Sequence, residues 1–200
     1  AYYNRGISYR GRGNIELSLA DLDQAIKLDP KNASAYYERG NALFDKRDYD
    51  RAIADLNQAI NVKPDYTAAF NVRGLAYNGK GDSDRAIQDF DQALRIDPKF
   101  AAALSNRGDT YQRKKNFERA IADFDEAIKT NPNFAGAYYS RGVASQDKRD
   151  YQNAVADFTR AIKLDAKNAA SYNARGFSYL SQHEDEERVR EPRAHRRQEI

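Results

Sequence analysis

The chain has 200 residues, of which 32% are charged, with 33 Lys and Arg set against 30 Asp and Glu. The net charge of +3 is too small, and its charges too interspersed, to predict binding to nucleic acid or to an anionic membrane. No cysteine is present, which excludes disulfide bonds and thiolate chemistry. No apolar run approaches the roughly 20 residues that a membrane-spanning helix needs.

The chain contains no methionine and opens at Ala1, directly on a helical pattern. We therefore expect a fragment of a longer protein, with any targeting signal outside it. The polar composition predicts a soluble chain. The lack of cysteine fits cytoplasm and periplasm alike, and we favour the cytoplasm.

A glycine recurs every 34 residues and organises the whole sequence. A fixed period of this length is typical of a helical solenoid, in which each repeat contacts only its neighbours. The glycines are Gly6, Gly40, Gly74, Gly108, Gly142 and Gly176. The predicted repeats are 1–32, 33–66, 67–100, 101–134 and 135–168, followed by the first helix of a sixth repeat at 169–181.

Each repeat predicts a first helix, called helix A, that is centred on this glycine. Large side chains lie four residues before the glycine and, in five of the six copies, three residues after it, as Tyr36 and Leu43 do around Gly40. These spacings place the three residues on one helix face. Glycine costs a helix about 1 kcal/mol relative to alanine. Its recurrence therefore predicts a point where a second helix comes too close for a Cβ atom.

A second helix, called helix B, is predicted after an Asn or Asp that can cap its start. In the second repeat, helix B carries Ala52 and Ala59 with Leu56 between them, and Pro64 follows. Small residues around one large side chain predict close antiparallel packing on helix A, and proline ends the helix. The predicted caps are Asn14, Asp48, Asp82, Asn116 and Asp150, and the closing prolines are Pro30, Pro64, Pro98 and Pro132.

This pattern resembles the tetratricopeptide repeat over residues 1–181, and its RGxxY and DFDxAIxxDP segments are similar to bacterial members of that family. The matching features are the large residue four before the glycine, the tyrosine or leucine three after it, the paired alanines and the closing proline. The resemblance implies an all-α fold, a right-handed α-solenoid (superhelix) of antiparallel helix-turn-helix repeats. It also implies a concave groove that binds a peptide or protein.

Two positions that are usually apolar in that family carry opposite charges here. An arginine precedes the glycine, and an aspartate follows the glycine by fifteen residues. We expect the arginine and the aspartate to form a half-buried structural ion pair, either within one repeat or between helix B and the next helix A. The alternative is an exposed pair along helix B, such as Arg51 with Asp55. The predicted pairs are Arg5 and Asp21, Arg39 and Asp55, Arg73 and Asp89, Arg107 and Asp123, and Arg141 and Asp157.

The resemblance places ligand contacts on one face of the A helices. These positions vary between repeats, which indicates either a recognition surface or simple exposure to water. They are rich in Tyr, Asn and Gln and lack the basic residues that clamp a peptide carboxylate in some family members. We expect an extended segment held by Tyr stacking and by Asn or Gln hydrogen bonds. The predicted ligand-binding residues are Tyr3, Tyr37, Asn41, Phe44, Asn71, Leu75, Asn78, Asn106, Asp109, Gln112, Tyr139, Gln146 and Asn173.

The repeats contain no histidine and no cysteine, so the sequence predicts no catalytic residue, no metal site and no cofactor. The expected function is a non-enzymatic interaction scaffold that binds a protein or peptide of unknown identity. One alternative is a self-assembly unit, because Phe177, Tyr179 and Leu180 lack a second helix to cover them. The other alternative is the substrate-recruiting arm of a larger enzyme.

Residues 182–200 depart from the repeat, because charged residues replace the alanines and the large apolar residue of helix B. We expect a solvated tail or a polar terminal helix interrupted at Pro192. A shifted reading frame would also explain the change. A third alternative is that this tail docks into the groove of a neighbouring molecule.

Overall fold

The computed structural model describes the backbone of residues 1–195 and the side chains of residues 1–185. Over these residues the regular structure consists of eleven α-helices joined by short turns. The helices are α1 (Tyr2–Gly11), α2 (Ile15–Leu28), α3 (Ala33–Asp45), α4 (Tyr49–Val62), α5 (Thr67–Gly79), α6 (Ser83–Ile96), α7 (Ala101–Arg113), α8 (Phe117–Thr130), α9 (Ala135–Asp147), α10 (Tyr151–Leu164) and α11 (Ala169–His195).

The helices form two compact units, residues 1–110 and the part of the chain from Tyr111 onward. In the first unit, α1 packs on α2, α3 on α4 and α5 on α6, and each of α2 and α4 also packs on the next A helix. In the second unit, α8, α9, α10 and α11 pack in succession. Consecutive A helices touch as well, α1 with α3, α3 with α5 and α9 with α11. The predicted all-α fold of paired helices is confirmed.

The glycine of helix A lies against the large side chain at the centre of its helix B. A Cβ atom on Gly40 would lie 2.9 Å from Leu56 Cγ, and one on Gly74 would lie 2.7 Å from Phe90 Cε1. Leu56 and Phe90 are fully buried, as is Ala52 beside Leu56. The predicted close approach of helix B to the glycine of helix A is therefore present. The atoms that leave no room for a Cβ atom belong mainly to the large side chain of helix B.

A single capping residue marks the start of helix B in four of the five complete repeats. The side chains of Asp48, Asp82, Asn116 and Asp150 each accept a hydrogen bond from the backbone N–H three residues later, which caps the helix. Asn14 holds the same position in α2 but makes no side-chain cap bond. At the other end, α4 stops at Val62, two residues before Pro64.

The turn between helix A and helix B contains one residue in the left-handed region of backbone space. Gly13 and Gly81 have φ values of 77° and 80° there. Arg47, Lys115 and Arg149 occupy the equivalent positions with φ between 58° and 63°. Glycine adopts this conformation freely, whereas a side chain costs about 1–2 kcal/mol. Because only two of the five turns have glycine here, the sequence analysis did not predict this geometry.

Helix α11 differs from the other A helices in length. Its backbone stays helical from Ala169 to His195, so residues 182–195 extend the sixth helix A instead of folding back as a helix B. The interruption predicted at Pro192 does not occur in this backbone. The side chains after residue 185 and all of residues 196–200 lie outside the described residues, as does any docking of the tail into a groove.

Alanine substitution should separate packed from unpacked glycines. Gly74→Ala should lower the thermal midpoint, because overpacking against buried Phe90 outweighs the gain in helix propensity by about 1–2 kcal/mol. Gly176→Ala should raise the midpoint, because a Cβ atom there meets nothing within 4 Å among the described residues. The gain in the free energy of unfolding should be up to about 1 kcal/mol. Circular dichroism melting curves measure both changes, and equal shifts would contradict this explanation of the repeating glycine.

Candidate functional site: charged ladder and helix A face

The arginine before each glycine forms a bidentate ion pair with the aspartate of its own helix B. Arg39 donates from Nε to Asp55 Oδ2 at 2.7 Å and from Nη2 to Asp55 Oδ1 at 2.6 Å. The same two hydrogen bonds, with lengths of 2.6–2.8 Å, join the other pairs whose two residues lie in one unit: Arg5 with Asp21, Arg73 with Asp89 and Arg141 with Asp157. These pairs therefore close within a repeat. Arg51 Nη1 lies 3.5 Å from Oδ2 of Asp48, three residues before it, which is the direction away from Asp55.

A second acceptor, which the sequence analysis missed, holds the remaining arm of the guanidinium. Arg39 Nη1 donates to Asp23 Oδ1, on helix B of the preceding repeat, at 2.6 Å. The equivalent bonds, also 2.6 Å long, run from Arg73 to Asn57, from Arg107 to Asp91 and from Arg141 to Asp125. Arg39, Arg73 and Arg141 thus each bridge two successive B helices. We call this arrangement, typified by Asp23, Arg39 and Asp55, the Arg–Asp ladder.

The inner aspartates of the Arg–Asp ladder are buried, and Arg39, Arg73 and Arg141 each have an aromatic ring on one face. Asp89 is only 4% exposed, and its burial raises the pKa of its carboxyl group, although Arg73 opposes that rise. The hydrogen bond with Asp55 raises the pKa of Arg39. The Arg73 guanidinium also lies 5.3 Å from the centre of the Phe70 ring, within cation–π range. These features make the Arg–Asp ladder a structural network that joins repeats.

Two cavities lie beside the Arg–Asp ladder at equivalent positions of the two units. The larger, of about 560 Å³, lies among α2, α3 and α4 and is lined by Asp23, Arg39 and Asp55. The smaller, of about 330 Å³, lies among α8, α9 and α10 and is lined by Asp125, Arg141 and Asp157. None of the predicted ligand-binding residues lines either cavity.

The predicted ligand-binding residues differ in how much surface they offer. Asn41 and Asn71 are 5% and 7% exposed, so little of either side chain could touch a ligand. Asn173 is exposed. The remaining ten are half-buried: Tyr3, Tyr37, Phe44, Leu75, Asn78, Asn106, Asp109, Gln112, Tyr139 and Gln146.

Several of these side chains hydrogen-bond to the next A helix. Asn106 Nδ2 donates to Asn71 Oδ1 at 2.9 Å, and Asn78 Nδ2 donates to Thr110 Oγ1 at 2.7 Å. In the second unit, Gln112 Nε2 donates to Asp147 Oδ2 at 2.9 Å. Some of the residues that vary between repeats on the helix A face therefore bind a neighbouring A helix. The sequence pattern does not predict these contacts.

Tyrosines from the first two repeats meet on the helix A face of the first unit. The Tyr37 and Tyr66 rings have centroids 4.8 Å apart, and the Ser34 side chain lies near the hydroxyl groups of Tyr66 and Tyr3. Glu38 lies in the same group and accepts a hydrogen bond from Arg10 Nη1 at 3.2 Å. We call Tyr3, Ser34, Tyr37, Glu38 and Tyr66 the tyrosine cluster. Tyr66 precedes α5 in a turn, so helix periodicity could not identify it.

The hydroxyl groups of Tyr3 and Tyr66 stay protonated near neutral pH. Burial raises the pKa of Tyr66 to about 12, with Tyr37, Tyr3 and Glu38 raising it further and Ser34 opposing them. Burial is also the main cause that raises the pKa of Tyr3. Protonated phenols both donate and accept hydrogen bonds, and their rings offer flat apolar surface.

No group of three His, Cys, Asp or Glu side chains in the described part of the chain is placed to hold a metal ion. Across the described residues, no helix combines the length and the apolar character needed to cross a membrane.

Paired helices that repeat every 34 residues, with glycine packed on a large helix B side chain, define a helical-repeat protein. Models of the tetratricopeptide repeat match residues 3–60, 37–101, 101–134 and 135–168. These matches run through most of the chain, and the chain belongs to the tetratricopeptide repeat family. None of the curated proteins compared with the chain matches it.

Solved structures of repeat proteins share this fold. A thermophilic tetratricopeptide repeat protein from Thermus thermophilus is 17% identical, with a TM-score of 0.74 over 90% of this chain and 97% of its own. YrrB, described as having an unusual peptide-binding site, is 22% identical, with a TM-score of 0.67 over 88% and 90%. The first such domain of Spaghetti (RPAP3), bound to the HSP90 peptide SRMEEVD, is 25% identical, with a TM-score of 0.58 over 58% and 93%.

The two acceptors of the Arg–Asp ladder should differ in their effect on stability. Asp89→Asn should destabilise the chain by about 2–4 kcal/mol, because it leaves the half-buried Arg73 without its buried counter-charge. Asp23→Asn should cost less than about 1 kcal/mol, because the Asp23 side chain is 54% exposed. Thermal unfolding of both variants measures the difference, and similar losses would refute the distinction.

The raised pKa of Tyr66 predicts a loss of stability at high pH. The stabilising contribution of the protonated phenol is complete below its ordinary pKa of 10.0 and disappears as the pH rises through about 12. Tyr66→Phe should therefore flatten the decline in thermal midpoint across this pH range. It should also remove the last-titrating component from the tyrosinate absorbance curve. Tyr179→Phe, at a tyrosine that is 54% exposed, is the control and should leave that component in place.

Proposed function

We propose that this chain is a non-enzymatic interaction scaffold that binds an extended peptide segment on the helix A face of its first unit. The observation that carries the proposal is the tyrosine cluster, in which three tyrosines from the first two repeats meet on one face. A surface of ring faces and hydroxyl groups suits a peptide backbone, because it offers stacking together with both kinds of hydrogen-bonding group. No cofactor is part of this function.

The similar structures support a peptide as the class of ligand. YrrB is described as having an unusual peptide-binding site, and the Spaghetti domain is bound to the HSP90 peptide SRMEEVD. That peptide ends in acidic residues. The tyrosine cluster presents Glu38, and the nearby Arg10 already donates to Glu38 and to Asp45. We therefore propose a segment without an acidic end, bound through its backbone and through apolar or aromatic side chains.

The proposed ligand surface is smaller than the sequence predicts. In the first unit it consists of Tyr3, Tyr37 and Leu75, extended by Tyr66 and by the exposed part of Asn106. We leave out Asn41 and Asn71 because they are buried. In the second unit, Tyr139 and Asn173 hold the same repeat position as Tyr3 and Tyr37, and together with Gln146 they form a separate candidate surface. Self-assembly and a role as the recruiting arm of an enzyme stay predictions from the sequence.

Peptide selection tests the proposed surface. Peptides enriched from a random phage-displayed library on the whole chain should bind Tyr3→Ala and Tyr37→Ala at least about tenfold more weakly than the unchanged protein. Each loss removes one of the stacking rings, whose contribution is on the order of 1 kcal/mol or more. Fluorescence anisotropy of the labelled peptides measures the change.

Tyr2→Ala is the matched control for this selection. Tyr2 precedes Tyr3 in α1, is 40% exposed and places its ring beside Arg5 instead of in the tyrosine cluster. This variant should bind the selected peptides as well as the unchanged chain does. If Tyr3→Ala and Tyr37→Ala keep full affinity while they stay folded by circular dichroism, the proposed surface is incorrect.

A further inference from the structure

The sixth helix A has an uncovered face at the place where the A helices before it are packed. Among the described residues, nothing lies within 4 Å of a Cβ atom built on Gly176, whereas the same atom on Gly142 would meet Phe158 at 2.8 Å. Tyr172 and Tyr179, four residues before and three after this glycine, are 44% and 54% exposed. We call Tyr172, Arg175, Gly176 and Tyr179 the open face of α11.

The described part of α11 does not fold back over the open face. Helix α11 continues to His195, which lies about 28 Å along the helix from Gly176 at ~1.5 Å per residue. Within the described residues, no segment packs on this face as helix B packs on the earlier A helices.

The complete repeats show which chemistry packs on such a face. In each of them helix B carries a fully buried Leu or Phe, directly after the inner aspartate of the Arg–Asp ladder. A small residue stands three residues before that aspartate and an alanine four residues after it, as Ala154 and Ala161 do around Asp157. The first of these residues is alanine in four repeats and Ser18 in the first repeat. Small residues at these places let the two helices approach closely. The common pattern is [AS]-x-x-D-[FL]-x-x-A.

Arg175 supplies a charge that matches this pattern. Its equivalent, Arg141, donates to Asp125 on the preceding helix B and makes two bonds to Asp157 on its own helix B. Arg175 Nη1 donates to Thr159 on the preceding helix B at 3.3 Å, and its guanidinium lies over the Tyr172 ring. Arg141 binds the buried carboxylate of Asp157 through Nε and Nη2. The same two atoms of Arg175 are on the side of its guanidinium that is next to the open face of α11.

We propose that the open face of α11 binds an amphipathic helix from a partner protein. The partner helix carries an aspartate followed by a large apolar residue, with small residues three before and four after the aspartate. The apolar side chain fills the space at Gly176, and the carboxylate pairs with Arg175. This binding is independent of the peptide surface on the first unit.

A second copy of this chain is a poorer occupant than a partner helix. Its helices of the required pattern already cover their own repeats, since Leu22, Leu56, Phe90, Phe124 and Phe158 are all fully buried. To donate one of them, the second copy would have to unfold a repeat. A partner with an unoccupied helix of this type binds without that cost.

The probe for this proposal is a labelled peptide of residues 148–168, which contains α10 and the required pattern. A lactam between Gln152→Glu and Ala156→Lys holds the peptide helical, and both positions lie outside the buried face of α10. The cross-link is needed because isolated helices shorter than about 15 residues are marginal in water. Fluorescence anisotropy should show saturable binding to the unchanged chain.

Three variants locate the binding. Gly176→Leu should weaken it at least about tenfold, because the new side chain occupies the space for the peptide's Phe158. The Asp157→Asn peptide should also bind about tenfold more weakly, because a charge-assisted hydrogen bond to Arg175 is lost. Gly11→Leu is the matched control on the chain, since Gly11 also meets nothing within 4 Å, and it should bind normally.

Other outcomes would overturn the proposal. They are no saturable binding of the cross-linked peptide at millimolar concentration, or equal binding to the Gly176→Leu and Gly11→Leu variants. Light scattering adds a third test. A dimer of the unchanged chain that Gly176→Leu converts to monomer would show that the open face of α11 binds a second copy instead of a partner helix.

Discussion

One contact determines how each repeat is built: a helix A without a Cβ atom at one position, pressed against a buried Leu or Phe of helix B. At 2.7–2.9 Å from a hypothetical Cβ atom, Leu56 and Phe90 leave no room for alanine. The small residues around the large side chain, such as Ala52 and Ala59, let the helix backbones approach. This contact lies within one repeat, so a second interaction is needed to fix how successive repeats are placed.

The Arg–Asp ladder supplies that direction. A planar guanidinium accepts carboxylates only along defined lines, so Arg39 fixes the position of Asp55 on its own helix B and of Asp23 on the previous one. Burying these charges in the Arg–Asp ladder is unfavourable. The bidentate geometry and the Tyr36 ring beside the guanidinium of Arg39 offset this cost.

The sequence was sufficient to predict the helix pairs, the glycine contact and the inner Arg–Asp pairs, because each recurs with one residue type at one spacing. The outer acceptors were missed because their identity changes from Asp23 to Asn57 and Thr159. Tyr66 was missed because it lies in a turn, and Asn71 was misjudged as accessible because a 3.6-residue period cannot show which polar side chains bond to a neighbouring helix. The length of α11 could not be predicted because its residues lack the repeat pattern.

The spacing of the Arg–Asp ladder restricts how such a chain can change in length. Asp23, Arg39 and Asp55 are separated by sixteen residues on either side of the arginine, and the following repeats keep this spacing. Inserting or deleting a whole 34-residue unit restores every one of these bonds at the new junction, because Asp, Asn and Thr all serve as the outer acceptor. An insertion of another length in the helices between Asp23 and Asp55 changes the spacing of Arg39 from one of the two aspartates. Gene duplication therefore keeps the Arg–Asp ladder intact only when it adds complete repeats.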